Sequence, residues 1–234
     1  MRVLVTRPEP DAGTTAEDLR ALGHEPVIEP LFDIVATGAA MPEGGFDAVI
    51  VTSRNALRTI SPQALAALRA KPAFAVGGAS ARAARQAGFA DVRSAEGDAT
   101  RLAALILADG RIGRGARLLH PCGADRAGGL EEPLVAAGLT YLPWPVYESR
   151  ARPALTPSTA RLLADGGIGA VLLFSPRATR HFVALAAEIR FAAGPPALHV
   201  ISENAALPAA GLAGWTIRIA GEPTGAALLA TLPA

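Results

Sequence analysis

Polar, basic and small residues follow most of the apolar segments that we interpret as β-strands. In a parallel sheet, ligands bind beyond the carboxyl ends of the strands, and the free N–H groups of the following helix favour an anion. The residues at these positions are Thr6, Arg7, Thr52, Ser53, Arg54, Gly77, Gly78, Ser80, Pro121, Cys122, Gly123, Ser175, Pro176, Arg177, Ser202, Glu203, Asn204 and Thr224. Their hydroxyl, guanidinium and backbone N–H donors predict the binding of a small anionic ligand.

Helix capping is the alternative explanation for the hydroxyl residues among them. Ser and Thr are preferred N-caps, so a single Ser or Thr before a helix says little about binding. Apart from Thr224, similar residues recur at six separate loops, three of which carry Arg7, Arg54 and Arg177. This repetition favours a binding site over capping alone.

Other kinds of site have little support. Residues 77–80 lack the spacing of a dinucleotide-binding fingerprint, and the chain has neither a P-loop motif nor a GxSxG nucleophile elbow. The histidines show no metal-ligand spacing, and we interpret His120 and His199 as core or edge residues on strands. Cys122 is the single cysteine, which excludes an intrachain disulfide and indicates a small buried thiol. We therefore expect no metal site.

Short apolar segments alternate with helical patterns along the chain. The predicted strands are residues 2–5, 25–28, 48–51, 73–76, 91–93, 117–120, 140–143, 170–174, 198–201 and 216–219. The predicted helices are residues 14–22, 55–60, 80–87, 99–107, 129–137, 177–185, 203–210 and 224–232. Residues 35–45 and 150–167, rich in Gly, Ala and Pro, are the expected linkers. Strands that alternate with helices and are apolar throughout indicate parallel sheets covered on both faces, an α/β fold.

An internal repeat shows how these elements are grouped. Residues 2–34 align without a gap with residues 117–149, and residues 48–53 resemble residues 170–175. One unit of each kind supplies five strands, enough for a flavodoxin-like sheet. The repeat permits two pairings, because neighbouring units can fold together, or the outer two and the inner two can pair separately.

Length and composition limit the functional classes. The chain has 234 residues, half of them hydrophobic, and a formal net charge of +1, which does not support nucleic-acid binding. No apolar run approaches the roughly 18–20 residues that span a bilayer. The chain opens on a predicted strand rather than on a basic and apolar leader. We expect a cytoplasmic protein that binds neither nucleic acid nor membrane.

The sequence resembles the uroporphyrinogen-III synthase family. The segments that carry the resemblance are VLVTRP at 3–8, PVIEPLFDI at 26–34, FDAVIVTSRN at 46–55, AVGGASA at 75–81, LLHPCG at 118–123, PVY at 145–147, LFSP at 173–176 and ISE at 201–203. No single motif is specific, but they occur in order over nearly the whole chain. The ordered set carries the resemblance.

The resemblance implies two flavodoxin-like domains with parallel sheets, joined by a two-stranded β-ladder linker. One domain would be discontinuous, formed by residues 1–34 and 150–234, with residues 35–149 as an inserted domain. The ladder would use the strands around residues 31–35 and 146–150. The substrate would lie in the cleft between the domains.

The activity implied is the cyclisation of hydroxymethylbilane to uroporphyrinogen III in haem, sirohaem and cobalamin biosynthesis. Water is lost and ring D is inverted through a spiro intermediate, which requires positioning and a proton for the leaving hydroxyl rather than a cofactor. The tyrosine on the family's ladder corresponds to Tyr147, the expected catalytic residue; the alternative is a half-buried aromatic side chain that anchors the hinge. The hydroxyl residue of its glycine loop corresponds to Ser80. Ser202, Glu203 and Asn204 replace the Gly-x-Thr loop of many relatives.

The implied partner is the small polycarboxylate substrate, for which a transient hand-over from hydroxymethylbilane synthase is compatible with the resemblance. The repeat alone leaves an alternative, a non-catalytic cytoplasmic two-domain binding protein for a small anionic ligand. A nucleotide-dependent dehydrogenase or methyltransferase is disfavoured by the missing fingerprint.

Overall fold

The chain folds into two units in the computed structural model, which describes residues 1–126 and 128–233. Met1–Asp33 and Arg150–Ala234 form one of them, which we call the outer unit. Ile34–Ser149 forms the other, which we call the inserted unit. The resemblance placed the domain boundaries after residue 34 and before residue 150.

The secondary structure alternates between strands and helices, as predicted. The strands are β1 (Arg2–Val5), β2 (Glu25–Ile28), β3 (Phe32–Ala36), β4 (Ala48–Val51), β5 (Ala73–Ala75), β6 (Val92–Ser94), β7 (Arg117–Gly123), β8 (Thr140–Ala151), β9 (Ala170–Leu173), β10 (Ala197–Val200) and β11 (Ile217–Ile219). The helices are α1 (Asp11–Ala21), α2 (Arg54–Thr59), α3 (Pro62–Leu68), α4 (Gly78–Gln86), α5 (Ala99–Leu107), α6 (Glu131–Ala136), α7 (Pro157–Ala164), α8 (Pro176–Ala186), α9 (Glu203–Ala206) and α10 (Gly225–Leu229). None of the helices in the described part of the chain is long and apolar enough to cross a bilayer.

The outer unit contains a parallel sheet with strand order β11-β10-β9-β1-β2. Successive residues of a strand point to opposite faces, so Leu4 joins the core on one face with Val171. Val3 and Val5 join the core on the other face. Both faces of the central strands β1 and β9 are therefore buried, which explains their apolar sequences and confirms the α/β prediction.

The inserted unit contains a sheet with strand order β3-β8-β7-β4-β5-β6, in which β8 through β6 pair in parallel. Strands β3 and β8 pair in opposite directions. The backbone N–H of Arg152 donates to Leu31 at 2.9 Å, and that of Thr37 donates to Val146 at 3.1 Å. Because both strands continue across the boundary of the units, they form the predicted two-stranded linker.

Two helices lie where none was predicted. Helices α3 and α7 begin with proline, and the hydroxyls of the preceding residues, Ser61 and Thr156, accept a hydrogen bond from a backbone N–H of the first turn. The prediction of a linker over residues 150–167 was therefore wrong for the part that α7 occupies. A Ser or Thr cap followed by proline at the first helical position was the overlooked signal.

Strand β7 extends three residues beyond its predicted end. Pro121, Cys122 and Gly123 were expected in the loop after the strand, and this was wrong, because they are buried and pair with β8. Pairing continues because β8 offers a long partner strand. The register shifts between Cys122 and Gly123, so that Gly123 lies opposite Tyr147.

The predicted helix over residues 203–210 is interrupted. Helix α9 ends at Ala206 and a 3₁₀ turn follows over Leu207–Ala209. Pro208 lacks the N–H that would continue the α-helical hydrogen bonds.

Candidate active site

Two hydroxyl groups of the inserted unit, from Tyr147 on β8 and Ser53 before α2, are joined by a hydrogen bond. The Tyr147 hydroxyl donates to Ser53 Oγ at 3.1 Å. Ser53 is the N-cap of α2, and its Oγ also accepts from the backbone N–H of Asn55 at 3.2 Å. A serine oxygen has two lone pairs and one proton. Since both lone pairs are engaged, Ser53 can offer its own proton to an outside acceptor.

These hydroxyls line a cavity of about 280 Å³. Its walls are formed by Thr52, Ser53, Val76, Ala99, His120, Cys122, Gly123, Asp125, Arg126, Gly128, Leu130 and Tyr147. The walls combine hydroxyl donors, the Arg126 guanidinium, the Asp125 carboxylate and apolar groups. This combination suits a polar ligand that is partly withdrawn from water.

The ring of Tyr147 lies against the backbone of Gly123. A Cβ atom at residue 123 would lie 3.0 Å from Cζ of Tyr147 and 3.1 Å from its hydroxyl oxygen. Contacts this short displace one of the partners. The small residue at the end of β7 therefore allows the ring to reach Ser53.

A second set of hydrogen bonds begins at Thr52 and runs into the core. Thr52 Oγ1 lies 2.8 Å from Nε2 of His120, whose Nδ1 lies 2.6 Å from the Tyr141 hydroxyl. Burial lowers the pKa of His120 to about 4, and the charge of Arg126 acts in the same direction. Burial also raises the pKa of Tyr141 to about 12. Both side chains are therefore neutral at pH 7.

Cys122 contributes a thiol to the cavity wall. The residue is free and buried, as the sequence predicted. Burial raises the pKa of this thiol, so the nucleophilic thiolate is disfavoured. Among the described residues, no group of three or more His, Cys, Asp or Glu side chains could hold a metal ion.

In the outer unit, Thr6 and Arg7 follow β1. The Thr6 side chain is buried and its hydroxyl donates to the Leu172 carbonyl at 2.6 Å, so its proton is engaged within the outer unit. Arg7 forms an ion pair with Asp11 at 3.2 Å, and its guanidinium lies 4.3 Å from the centre of the Phe174 ring. These contacts hold the guanidinium in place at the end of the strand.

The other predicted residues of the outer unit lie at helix starts. The hydroxyls of Ser175, Ser202 and Thr224 each accept a hydrogen bond from a backbone N–H of the helix that follows. Pro176, Arg177, Glu203 and Asn204 belong to the first turns of α8 and α9. The Arg177 guanidinium lies 4.7 Å from the centre of the Phe32 ring. Capping thus accounts for the three hydroxyl groups in this structure.

In the inserted unit, Gly77 is the N-cap of α4 and Gly78 is its first residue. Ser80 lies in the first turn of the same helix and is buried. Arg54 begins α2. None of these four lines the cavity of about 280 Å³.

The structure therefore brings together five of the predicted residues around one cavity, namely Thr52, Ser53, Cys122, Gly123 and Tyr147. Sequence reasoning missed Asp125, Arg126 and the second hydrogen-bonded set. His120 is buried as predicted, but its partners give it a place in the site. The sequence signal for this role was the position of His120 directly before residues 121–123, at the predicted end of a strand.

The comparison with protein families decides the relationship. The family model described as uroporphyrinogen-III synthase HemD matches residues 13–230. The chain belongs to the uroporphyrinogen-III synthase family. Members of this family are cyclising lyases of tetrapyrrole synthesis, so the predicted enzyme class is confirmed, and nothing found favours a non-catalytic binding protein.

Solved structures of uroporphyrinogen-III synthases share the fold. The enzyme from Helicobacter pylori 26695 is 18% identical, with a TM-score of 0.64, and the match covers 98% of this chain and 97% of that one. A mutant enzyme from the extremely thermophilic bacterium Thermus thermophilus is 16% identical, with a TM-score of 0.52 and coverage of 98% and 96%. At these identities the likeness shows the fold alone. No curated protein matches the chain.

Proposed function

We propose that this protein converts hydroxymethylbilane to uroporphyrinogen III, and that Tyr147 assists departure of the hydroxyl group through Ser53. The observation that carries the proposal is the Tyr147–Ser53 hydrogen bond at the wall of a cavity. It occurs in a chain that the family model matches over residues 13–230.

The reaction begins when the hydroxyl group leaves ring A of the substrate and an azafulvene cation remains. Ser53 gives its proton to the departing hydroxyl, which leaves as water, and takes a proton from Tyr147. Ring D then attacks through its substituted position to form the spiro intermediate, which fragments and recloses with ring D inverted. The proton that ring D loses on reclosing restores the Tyr147 hydroxyl, so the cycle balances.

Substrate binding relies on hydrogen-bond donors. Hydroxymethylbilane carries eight carboxylates, and hydroxyl, guanidinium and backbone N–H groups bind carboxylates well. We propose that the residues predicted from the sequence at the ends of the strands supply part of these contacts, through side chains or backbone N–H groups. Thr6 is the exception, because its hydroxyl is bound to Leu172.

We also propose that the enzyme acts in the cytoplasm and receives its substrate by a transient hand-over from hydroxymethylbilane synthase. The lability of the substrate supports this proposal, since hydroxymethylbilane closes spontaneously to isomer I. A short transfer would limit that loss.

The test is an isomer analysis. Hydroxymethylbilane is generated enzymatically in the presence of the purified protein, and isomers I and III of the product are resolved after oxidation. We expect isomer III in excess, because spontaneous closure yields isomer I. Isomer I alone, at the rate of a reaction without the protein, would refute the function.

A further inference from the structure

The hydrogen bonds behind Thr52 join three side chains of the inserted unit, Thr52, His120 and Tyr141, and Arg126 shares a second cavity with Tyr141. Thr52, His120 and Arg126 line the cavity of about 280 Å³, whereas the Tyr141 side chain is buried behind it. The direction of each hydrogen bond can be assigned from the groups themselves. This direction decides whether Thr52 offers the cavity a proton or a lone pair.

The charge of Arg126 sets the orientation of the Tyr141 hydroxyl. The Arg126 and Tyr141 side chains line the second cavity, and the positive charge of the guanidinium acts on the Tyr141 hydroxyl. A positive charge attracts lone pairs and repels the proton of an O–H group, so the Tyr141 oxygen turns its lone pairs towards Arg126. The Tyr141 proton consequently points to Nδ1 of His120, 2.6 Å away.

The orientation of the Tyr141 hydroxyl in turn sets the tautomer of His120. A neutral imidazole carries one N–H and one acceptor nitrogen, and burial keeps this ring neutral. Because Nδ1 accepts from Tyr141, the proton of the ring lies on Nε2. His120 Nε2–H therefore donates to Thr52 Oγ1 over 2.8 Å.

The tautomer of His120 sets the orientation of the Thr52 hydroxyl. Within residues 1–126 and 128–233, His120 is the hydrogen-bond partner of the Thr52 hydroxyl. The oxygen accepts from His120, so the hydroxyl proton is left for an acceptor in the cavity. Thr52 and its neighbour Ser53 thus both present protons there, which suits an anionic oxygen and disfavours a donor group.

We propose that Thr52 donates a hydrogen bond to a carboxylate of the substrate, and that His120 and Tyr141 are positioning residues that orient its hydroxyl. The proposal rests on the proposed function for the identity of the ligand. It assigns the Thr52 hydroxyl to carboxylate recognition and leaves the departing hydroxyl to Ser53 and Tyr147, which line the same cavity.

The outer unit contains a second histidine–threonine hydrogen bond, in which the histidine has the other tautomer and the threonine proton is already engaged. His199 Nδ1 lies 2.6 Å from Thr231 Oγ1, and the Thr231 hydroxyl donates to the Leu228 carbonyl at 2.6 Å. Because the Thr231 proton is engaged, Thr231 accepts from His199, which must carry its proton on Nδ1. Burial keeps His199 neutral as well, with a pKa of about 4.

The first experiment reads the two histidines in the substrate-free protein. Two-bond ¹H–¹⁵N correlations of ¹⁵N-histidine-labelled protein at pH 7 distinguish the tautomers, and the spectrum of His120→Gln assigns the His120 signals. We expect the Nε2–H tautomer at His120 and the Nδ1–H tautomer at His199. The Nδ1–H tautomer at His120 would overturn the proposal, because Thr52 would then donate to the ring.

The second experiment separates binding from turnover. A hydrogen bond to a charged group is worth roughly a ten- to hundredfold change in binding, so Thr52→Val should raise KM at least about tenfold and leave kcat within about twofold. Thr52→Ser keeps the hydroxyl and should restore KM to within about threefold of the original protein. The control Thr231→Val should lower Tm and leave KM and kcat unchanged.

An unchanged KM in folded Thr52→Val overturns the proposal, whatever happens to kcat. If circular dichroism shows that this variant does not fold, Thr52→Ala replaces it with the same expectation. The outcome is separable from that of the proposed function. If the unchanged protein makes no isomer III, the function fails, whereas the histidine tautomers still decide the direction of the hydrogen bonds.

Discussion

At the scale of single residues, the position of the Tyr147 ring depends on a hydrogen-bond acceptor and on the absence of a side chain at residue 123. Ser53 accepts the phenol proton, and Gly123 leaves room for the ring at the end of β7. Both conditions must hold for the Tyr147 hydroxyl to reach its acceptor. The size of residue 123 can therefore be tested separately from the chemistry of Tyr147.

Gly123→Ala should lower kcat about tenfold while the fold is retained. The new Cβ would lie 3.0 Å from Tyr147 Cζ, so the ring must move, and small displacements in a site are costly for turnover. Gly110→Ala is the matched control, because a Cβ there meets no atom within 4 Å. Steady-state kinetics and thermal unfolding measure both effects. A folded Gly123→Ala protein with full kcat would show that turnover does not depend on the position of Tyr147.

Tyr147→Phe should lower kcat by about 10–100-fold, near the lower end of the effect of general acid catalysis, because the substrate is intrinsically labile. The ring packing survives in this variant, so the loss reports the hydroxyl. Arg7→Gln should act on KM, with kcat unchanged, since one of many carboxylate contacts is weakened. Initial rates of isomer III formation provide both constants. Retention of full kcat in Tyr147→Phe would leave the ring a purely structural role.

At the scale of elements, the connection between β2 and β3 is held by a buried carboxylate. Glu29 accepts hydrogen bonds from the backbone N–H of Thr156 at 3.2 Å, and from the hydroxyls of Thr156 and Thr159 at 2.5 Å each. Thr156 is the N-cap of α7, where a negative charge is favourable. In the internal repeat Glu29 aligns with Trp144, and there β8 runs on without a break.

Glu29→Gln should reduce the free energy of unfolding by about 1–3 kcal/mol, because the amide nitrogen is a donor facing other donors. Glu25→Gln is the control, since Glu25 pairs with Arg2 on the surface and exposed ion pairs contribute about 0–1 kcal/mol. Urea unfolding at pH 7 measures the difference. Equal midpoints for the two variants would show that the Glu29 carboxylate does not stabilise the start of α7.

At the scale of the whole molecule, each unit buries a neutral histidine. His120 lies in the inserted unit and His199 in the outer unit, and burial lowers the pKa of each to about 4. The unfolded chain binds a proton on each below its ordinary pKa of 6.5, and the folded protein does not. Stability is therefore fully present above about pH 6.5 and is lost as the pH falls towards 4.

Lowering the pH from 7 to 5 should reduce the free energy of unfolding by about 2 kcal/mol for each of these histidines. His199→Asn removes one titrating group while keeping a donor near Thr231. We expect this variant to lose about 2 kcal/mol less than the original protein over the same pH range. Urea unfolding at several pH values gives the slopes. Identical slopes would contradict the assignment of a neutral, buried His199.

The amino-acid sequence by itself determined the local elements. The bounds of β1 and β4 were predicted to the residue, because an apolar run between turn residues indicates burial on both faces. The bounds of β2 were also predicted to the residue, although this strand is only partly buried. The end of β7 and the presence of α7 were not predicted. The first depends on a long partner strand, and the second on a cap whose signal was overlooked.

Only the tertiary structure decided which of these elements meet. The repeat allowed two pairings, and the structure pairs β1 with β9, joining Val3 to Ala170. The partners of His120 are likewise distant in sequence, 68 residues away at Thr52 and 21 at Tyr141. The hydrophobic pattern of a segment indicates which of its residues are buried, because that pattern can be read from the segment alone. It does not report which group a buried donor faces, because that depends on contacts between segments.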